Sequence, residues 1–337
     1  MTTFIAFLLL AVIICYGVLG GADFGTGLWD LTAGSAARGA RPRALIDHAI
    51  GPVWEANHTW LIFCLVLLWS GFPTAFAAIM TTLYIPIGIA AFGIVLRGSG
   101  FAFRKVSMRT AEQRLNGIAF ATSSVITPYC FGAVAGAVAS GMVPTAGHGD
   151  PLASWINPTS VLGGILAVLT CGYLAALFLT AEAHREGHAD LEQWARRRAV
   201  GAAVVAGVVA VAGLFVLRYD AHRLYARLLG DGWPLIAVSA LAGFAALLAT
   251  AITRLRGRPA LVRPLGVLAV ASILGGWGAA QYPYLLGTHL TFHRAAAPEA
   301  TLDALAVVTG LAVVLVVPSL VWLFVLTHRG QLTDPDS

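Results

Sequence analysis

The sequence predicts an all-α polytopic membrane protein with about nine transmembrane helices, on three observations. The 337-residue chain is 58% hydrophobic and only 11% charged, whereas soluble domains run at about 45–50% apolar and about 25% charged. Its mean hydropathy is +0.81. The apolar residues also fall in runs near the ~20 residues that cross a bilayer as a helix, not in the ~10-residue alternating segments of a membrane barrel. Within such a run only a helix satisfies its own backbone N–H and C=O groups.

Taken in order, the runs place spans at about 3–31, 46–69, 74–98, 115–140, 158–181, 199–217, 233–252, 262–281 and 301–326. The first lacks a basic leader and continues into Asp23, so it reads as a retained span, not a cleaved signal. Its glycines (Gly17, Gly20, Gly21, Gly25, Gly27) predict close helix packing, since small residues let helices approach in lipid. No G-x-G-x-x-G follows a strand, so nucleotide binding has no support.

Basic residues set the orientation. Of the 21 Lys and Arg, only Arg218, Arg223, Arg227 and Arg294 lie in connections after even-numbered spans. The other 17 lie at the connections after odd-numbered spans or in the tail, which predicts an outside N-terminus and a cytoplasmic C-terminus. The formal charge of +5 is therefore topological in origin. The basic residues are scattered between apolar runs, which excludes the one-sided patch of a nucleic-acid binder. Cys15, Cys64, Cys130 and Cys171 all lie in apolar runs without a C-x-x-C pattern, so they read as small hydrophobes, not a metal or disulfide framework.

The chemistry is concentrated in the first three spans. Asp23 and Asp30 in GGADFGTGLWDL, and His48, Glu55 and His58 in DHAIGPVWEANHTW, lie where desolvation is costly unless groups are paired or hydrated. With span 2 starting near 46, Glu55 is about nine residues in, at a helical depth similar to that of Asp23. Glu55 and His58, three apart, share a face. Asp23, Glu55 and His58 at one level, open to the cytoplasmic side, would suit a proton relay, because carboxyls and imidazoles exchange protons readily. Trp54 and Trp60 flank Glu55, and Asn57 is placed to brace it. Arg97, in span 3, is a candidate counter-ion for Glu55 or Asp30. Asp30 alternatively reads as a span-end residue satisfied by water, and Asp47 and His48 as interfacial.

Two metal readings fail on ligand count. Glu55-Ala-Asn-His58 has the Glu-x-x-His spacing of di-iron bundles, but such sites need a second copy and further glutamates, and no other Glu has a His three residues on. A haem held by this chain alone would want facing axial ligands, yet the histidines other than His48 and His58 fall in connections or at span ends. A proton-coupled secondary transporter is the competing class. Against it, polar residues are confined to the first half, whereas inverted-repeat transporters carry them in both.

These segments resemble subunit II of the cytochrome bd-type quinol oxidases. The resemblance is carried by G-A-D-F-G-T-G (21–27), I-G-P-V-W-E-A-N-H-T-W-L-I (50–62), Y-I-P-I with L-R-G-S-G-F-A-F-R (84–104) and Q-Y-P-Y (281–284). It is specific over residues 17–105 and topological over much of 155–337. The W-E-A-N-H form is more similar to the cyanide-insensitive branch than to the W-D-G-N-Q form.

The resemblance implies two four-helix bundles plus a peripheral helix. On this chain those are a first bundle over 1–140 with the charged cluster, a second over 141–300, and a peripheral helix with a short cytoplasmic tail over 301–337. It implies a bacterial cell-membrane location and a haem-bearing subunit I as partner, with small accessory subunits as further candidates. Haem b, with haem d left open, would sit in that partner, and this chain would hold no haem or metal. Quinol would be the substrate, with a structural quinone or lipid as a further candidate ligand. The implied role is assembly and proton delivery, with Glu55 matching the acidic residue assigned to a proton path and Trp60 a tryptophan near a proposed oxygen route. Asp23 and His58 would serve that path, supported by Trp54, Asn57, Arg97 and Asp30.

Overall fold

The computed structural model describes residues 1–50, 54–106, 110–251 and 259–328. Thirteen helices and one small hairpin make up the described chain. The first half runs α1 (Thr2–Leu31), α2 (Ala36–Ile50), α3 (Trp54–Gly71), α4 (Pro73–Thr82), α5 (Tyr84–Val106) and α6 (Thr110–Ser140). The second continues α7 (Pro158–Arg185), α8 (Ala189–Asp220), α9 (His222–Leu229), α10 (Trp233–Ala251) and α11 (Pro259–Gln281). After these come β1 (Tyr284–Leu286), β2 (Leu290–Thr291), α12 (Phe292–Ala295) and α13 (Glu299–His328).

Among the described residues, eight helices are long and apolar enough to cross a membrane, or nine crossings if the bent pair Asn57–Gly71 and Pro73–Thr82 counts as one span. The helix bounds correct the expected second and third spans, the third being divided between α4 and α5 at Leu83. In place of one run over 46–69, a polar helix α2 ends at Ile50 and α3 begins at Trp54. Residues Asn57–Gly71 and Pro73–Thr82 then meet at 116°. The cause is local: Gly71 closes α3, and Pro73 takes the first position of α4, where its missing N–H costs nothing. Glu55 is thus the second residue of α3, and a depth counted from residue 46 does not apply to it.

Helix α1 is central and packs against α3, α6, α7 and α11. The pairs α5–α6, α6–α7, α7–α8 and α10–α11 form the other large helix contacts. Close approach depends on small residues, as lipid-embedded helices require. A Cβ on Gly25 of α1 would sit 1.9 Å from the Cys171 carbonyl oxygen of α7. Gly132 and Gly163 bring α6 and α7 together in the same way, each with the other's carbonyl oxygen within 2.4 Å of a built Cβ. Trp29 Nε1 donates to the Gly172 carbonyl at 2.8 Å and fixes the register of α1 on α7. Helix α7 starts cleanly because Asn157 accepts the Ser160 N–H at 2.9 Å and Pro158 follows.

One apolar core joins the start of α1 to α3, α4, the hairpin and α13, through Ile5, Leu67, Phe72, Leu83, Leu286 and Leu302. The amphipathic α9 packs Leu224 and Leu228 beside Ala280, and Arg223 and Arg227 donate to the Gly287 and Tyr282 carbonyls of the hairpin segment. The outward faces of α8 (Val208, Val211, Phe215) and α13 (Val307, Leu311, Val314) are exposed and apolar, the surface that hydrocarbon requires.

Candidate functional site

Asp23 lies on α1 in the interior of the helix bundle, and its side chain is only 2% exposed. Arg97 of α5, 1% exposed, meets it fork to fork. Nη1 donates to Oδ2 at 2.8 Å and Nη2 to Oδ1 at 2.7 Å, while Nη2 also reaches the Asp23 carbonyl at 3.1 Å. Nε donates to Ser124 Oγ of α6 at 2.9 Å. The guanidinium is sandwiched by the Phe24 and Phe120 rings, each with its centroid 4.9 Å from Cζ. Planar bidentate pairing of this kind is the strong form of a charged hydrogen bond, and Arg suits it where Lys would not. Gly27 keeps the place open, since a Cβ there would come 2.2 Å from the Ser124 Cβ.

Asp30 follows two turns later on α1, near its end, and is also buried. Arg43 of α2 donates from Nε to Asp30 Oδ1 at 2.7 Å and from Nη2 to the Gly34 carbonyl at 2.8 Å. Asp30 is therefore a paired buried carboxylate, not a span-end group left to water. Among the described residues Arg97 pairs with Asp23, whereas Asp30 is held by Arg43; the expected Glu55–Arg97 pair lies outside the described residues. The two ion pairs line one face of α1 over seven residues, about 10 Å of helical rise.

The expected residues of α3 are less closely gathered. The side chains of Trp54 and Glu55 lie outside the described residues, and so does the relation of Glu55 to Asp23. His58 is half-buried in the second turn of α3. Asn57 is 2% exposed, and neither its amide nitrogen nor its oxygen has a hydrogen-bond partner among the described residues. Whether it braces Glu55 lies outside the described residues. Trp60 is half-buried against the apolar core that includes Ile5 and Phe72.

Sequence reasoning missed Ser124, Arg43 and the two phenylalanines. Arg43 carried a weak signal, as one of three arginines (Arg38, Arg41, Arg43) that follow the buried Asp30 within 13 residues. Ser124 carried none, because serines at helical spacing on α6 look like small packing residues. The donor set does not fit a haem held by this chain. His58 lies in the second turn of α3, and the other eight histidines sit in connections, in the short α9 and α12, or in the last turns of longer helices.

The match to known proteins covers nearly the whole chain. The family model described as cytochrome bd terminal oxidase subunit II matches residues 1–327. A Bacillus subtilis protein named cytochrome bd ubiquinol oxidase subunit 2 is 29% identical over 222 residues, 64% of this chain and 62% of that relative. The aligned stretch thus spans under two thirds of that relative's length. A second Bacillus subtilis protein, a putative cytochrome bd menaquinol oxidase subunit II, is 24% identical over 94% of this chain and 92% of its own length. The solved bd oxidase of Geobacillus thermodenitrificans contains a chain that superposes with a TM-score of 0.80, at 23% identity, over 96% of this chain and 97% of that one. This last likeness is one of fold.

Proposed function

Because the chain belongs to the cytochrome bd terminal oxidase subunit II family, we propose that it is the haem-free subunit of a bacterial quinol:oxygen oxidoreductase. In this reading it supports assembly of a haem-bearing subunit I and delivers cytoplasmic protons toward that partner's oxygen-reducing haem. The haems, when bound, reduce oxygen and accept the electrons of quinol. No step of that chemistry is routed through a group held by this chain. Its own residues hold and pass protons and bind the partner. The transporter reading has no comparable support.

The observation that carries the proposal is the line of buried ionisable groups along α1. Asp30–Arg43 sits near the end of the helix, and Asp23–Arg97 two turns deeper. A hydrocarbon interior keeps such groups only where they are paired or functional. Both oxygens of Asp23 accept guanidinium N–H groups, so a proton taken up there would neutralise the carboxylate and weaken its pair with Arg97. Asp23 therefore acts as the gate of the route, and Glu55 with His58 as the exchanging groups beyond it. Asn57, buried one residue before His58 and two after Glu55, offers a hydrogen-bonding amide beside them. The two bundles (1–140 and 141–300) with a peripheral helix (301–337), the cytoplasmic C-terminus, the oxygen route past Trp60 and a structural quinone or lipid belong to the same reading.

The test is Glu55→Gln in the purified two-subunit complex, followed by oxygen consumption and proton uptake in vesicles. The expected result is a loss of turnover of tenfold or more with quinol binding retained, the scale of a missing proton-transfer group. Normal turnover with normal proton uptake would defeat the relay.

A further inference from the structure

At the end of the bundle where α7 turns into α8, the segment Glu182-Ala-His184-Arg185-Glu186-Gly-His188 meets the last turn of α2. His48 of α2, Glu182 of α7 and Glu186, which caps α7, each present one donor atom, and the three atoms lie within 4.8 Å of one another. His48 Nε2 stands 3.4 Å from Glu186 Oε1. We propose that His48, Glu182 and Glu186 form a binding site for a first-row divalent metal ion of the Zn2+ type, bridging α2 to the α7–α8 turn.

The geometry suits such an ion. Zn–N and Zn–O bonds of about 2.0–2.2 Å in a tetrahedron place neighbouring donors about 3.4 Å apart, the separation already present between His48 and Glu186. Three protein ligands leave a fourth position for water, the ligand count of an open zinc site. Imidazole also selects against Mg2+ and Ca2+, which prefer all-oxygen shells. A second layer is in place: His188, the residue preceding α8, bonds Glu186 Oε2 through Nδ1 at 3.2 Å and orients the carboxylate.

Two arginines oppose the ion. Glu182 accepts from Arg185 through Oε1 and lies 3.5 Å from Arg263 Nη2 through Oε2. An ionised carboxylate offers about four lone-pair positions, so each oxygen retains one, but the nearby positive charge weakens the site. His48 and Glu186 are open to solvent, with side chains 60% and 27% exposed, so the ion has free access. A labile site follows, one that exchanges its ion with the surrounding medium.

The test uses the purified complex, dialysed against chelator and titrated with Zn2+ against a fluorescent zinc indicator, with Mg2+ at millimolar concentration throughout. The wild type should bind one more Zn2+ than His48→Ala or Glu186→Gln, or bind it at least ~10-fold more tightly. His188→Ala should weaken binding by about 10-fold while keeping the stoichiometry, as loss of an outer-layer partner does. Equal Zn2+ binding by the wild type and His48→Ala would overturn the site, as would displacement of the ion by Mg2+. His48 is exposed, so its removal leaves the fold intact and keeps the comparison decisive if Glu186→Gln does not assemble.

Discussion

At the scale of single residues, the Asp23–Arg97 pair sets the strongest constraint. Removing one member of a buried ion pair leaves an uncompensated charge and costs about 3–5 kcal/mol. Arg97→Leu should therefore cut the yield and thermal midpoint of the complex severely. Asp23→Asn combined with Arg97→Leu should recover much of that loss, because no charge is left stranded. A double variant as unstable as the single one would show that the arginine matters for packing between Phe24 and Phe120 instead. Gly25→Ala makes a second case, since its Cβ has no room beside the Cys171 carbonyl. Forced separation of α1 from α7 should appear as a lower thermal midpoint, and a wild-type value would contradict the close approach. The presence of costly residues on α1 was legible in composition alone. Their partners were not, because Arg97 could reach Asp23, Asp30 or Glu55 by sequence distance, and only the docking of α5 on α6 beside α1 decides among them.

At the scale of elements, hydrophobic runs located nearly every helix, and their failures have one physical source. A hydropathy window averages over a sharp corner. The run 46–69 joined the end of a polar helix to the start of an apolar one, whereas the 116° corner at Gly71–Pro73 falls in the connection expected between residues 69 and 74. Gly51 and Pro52 between α2 and α3, and the Gly-Phe-Pro at the end of α3, were the available warnings. Capping was better signalled. Asn157 before Pro158 marks the start of α7, and Asn157→Ala should lower stability by about 1 kcal/mol, seen as a small shift in the thermal midpoint. Asp150 shows the same logic in the preceding connection. It accepts the N–H groups of Ala153 and Leu152, which hold its carboxyl below the usual carboxylate range. Its folded value is depressed, so the ordering it gives is present above the unfolded pKa and is lost as pH falls through the folded one. Protease cleavage in the 144–157 connection should consequently rise only in acid, and the rise should vanish in Asp150→Asn. An acid-induced rise of equal size in that variant would assign the effect elsewhere.

At the scale of the whole molecule, the arginine distribution and the helix count together define a sided object. The 144–157 connection and the α7–α8 turn should face opposite compartments. Labelling of His148→Cys and His188→Cys with a membrane-impermeant thiol reagent should therefore occur from opposite sides of sealed vesicles. Labelling of both from one side would refute the orientation. The four native cysteines lie within helices, buried or half-buried, and leave a low background. The fold as a whole was legible because lipid imposes one simple rule on long apolar runs. The site was legible only in part, since what makes a buried carboxylate tolerable is a partner distant in sequence, and no periodicity records that.

The separation between Asp23 and Arg97 also has a consequence for how the protein is made. Arg97 follows Asp23 by 74 residues along the chain. A ribosome adding ~5–20 residues per second needs roughly 4–15 s to cover that distance. Throughout that interval α1 has been synthesised while the arm that will neutralise it has not, and an acidic side chain at mid-helix opposes entry into lipid by about 2.5–3.5 kcal/mol. Stable burial of α1 is therefore a delayed event, completed when α5 arrives, and a nascent chain truncated before residue 97 should be a preferred target for membrane quality-control proteases.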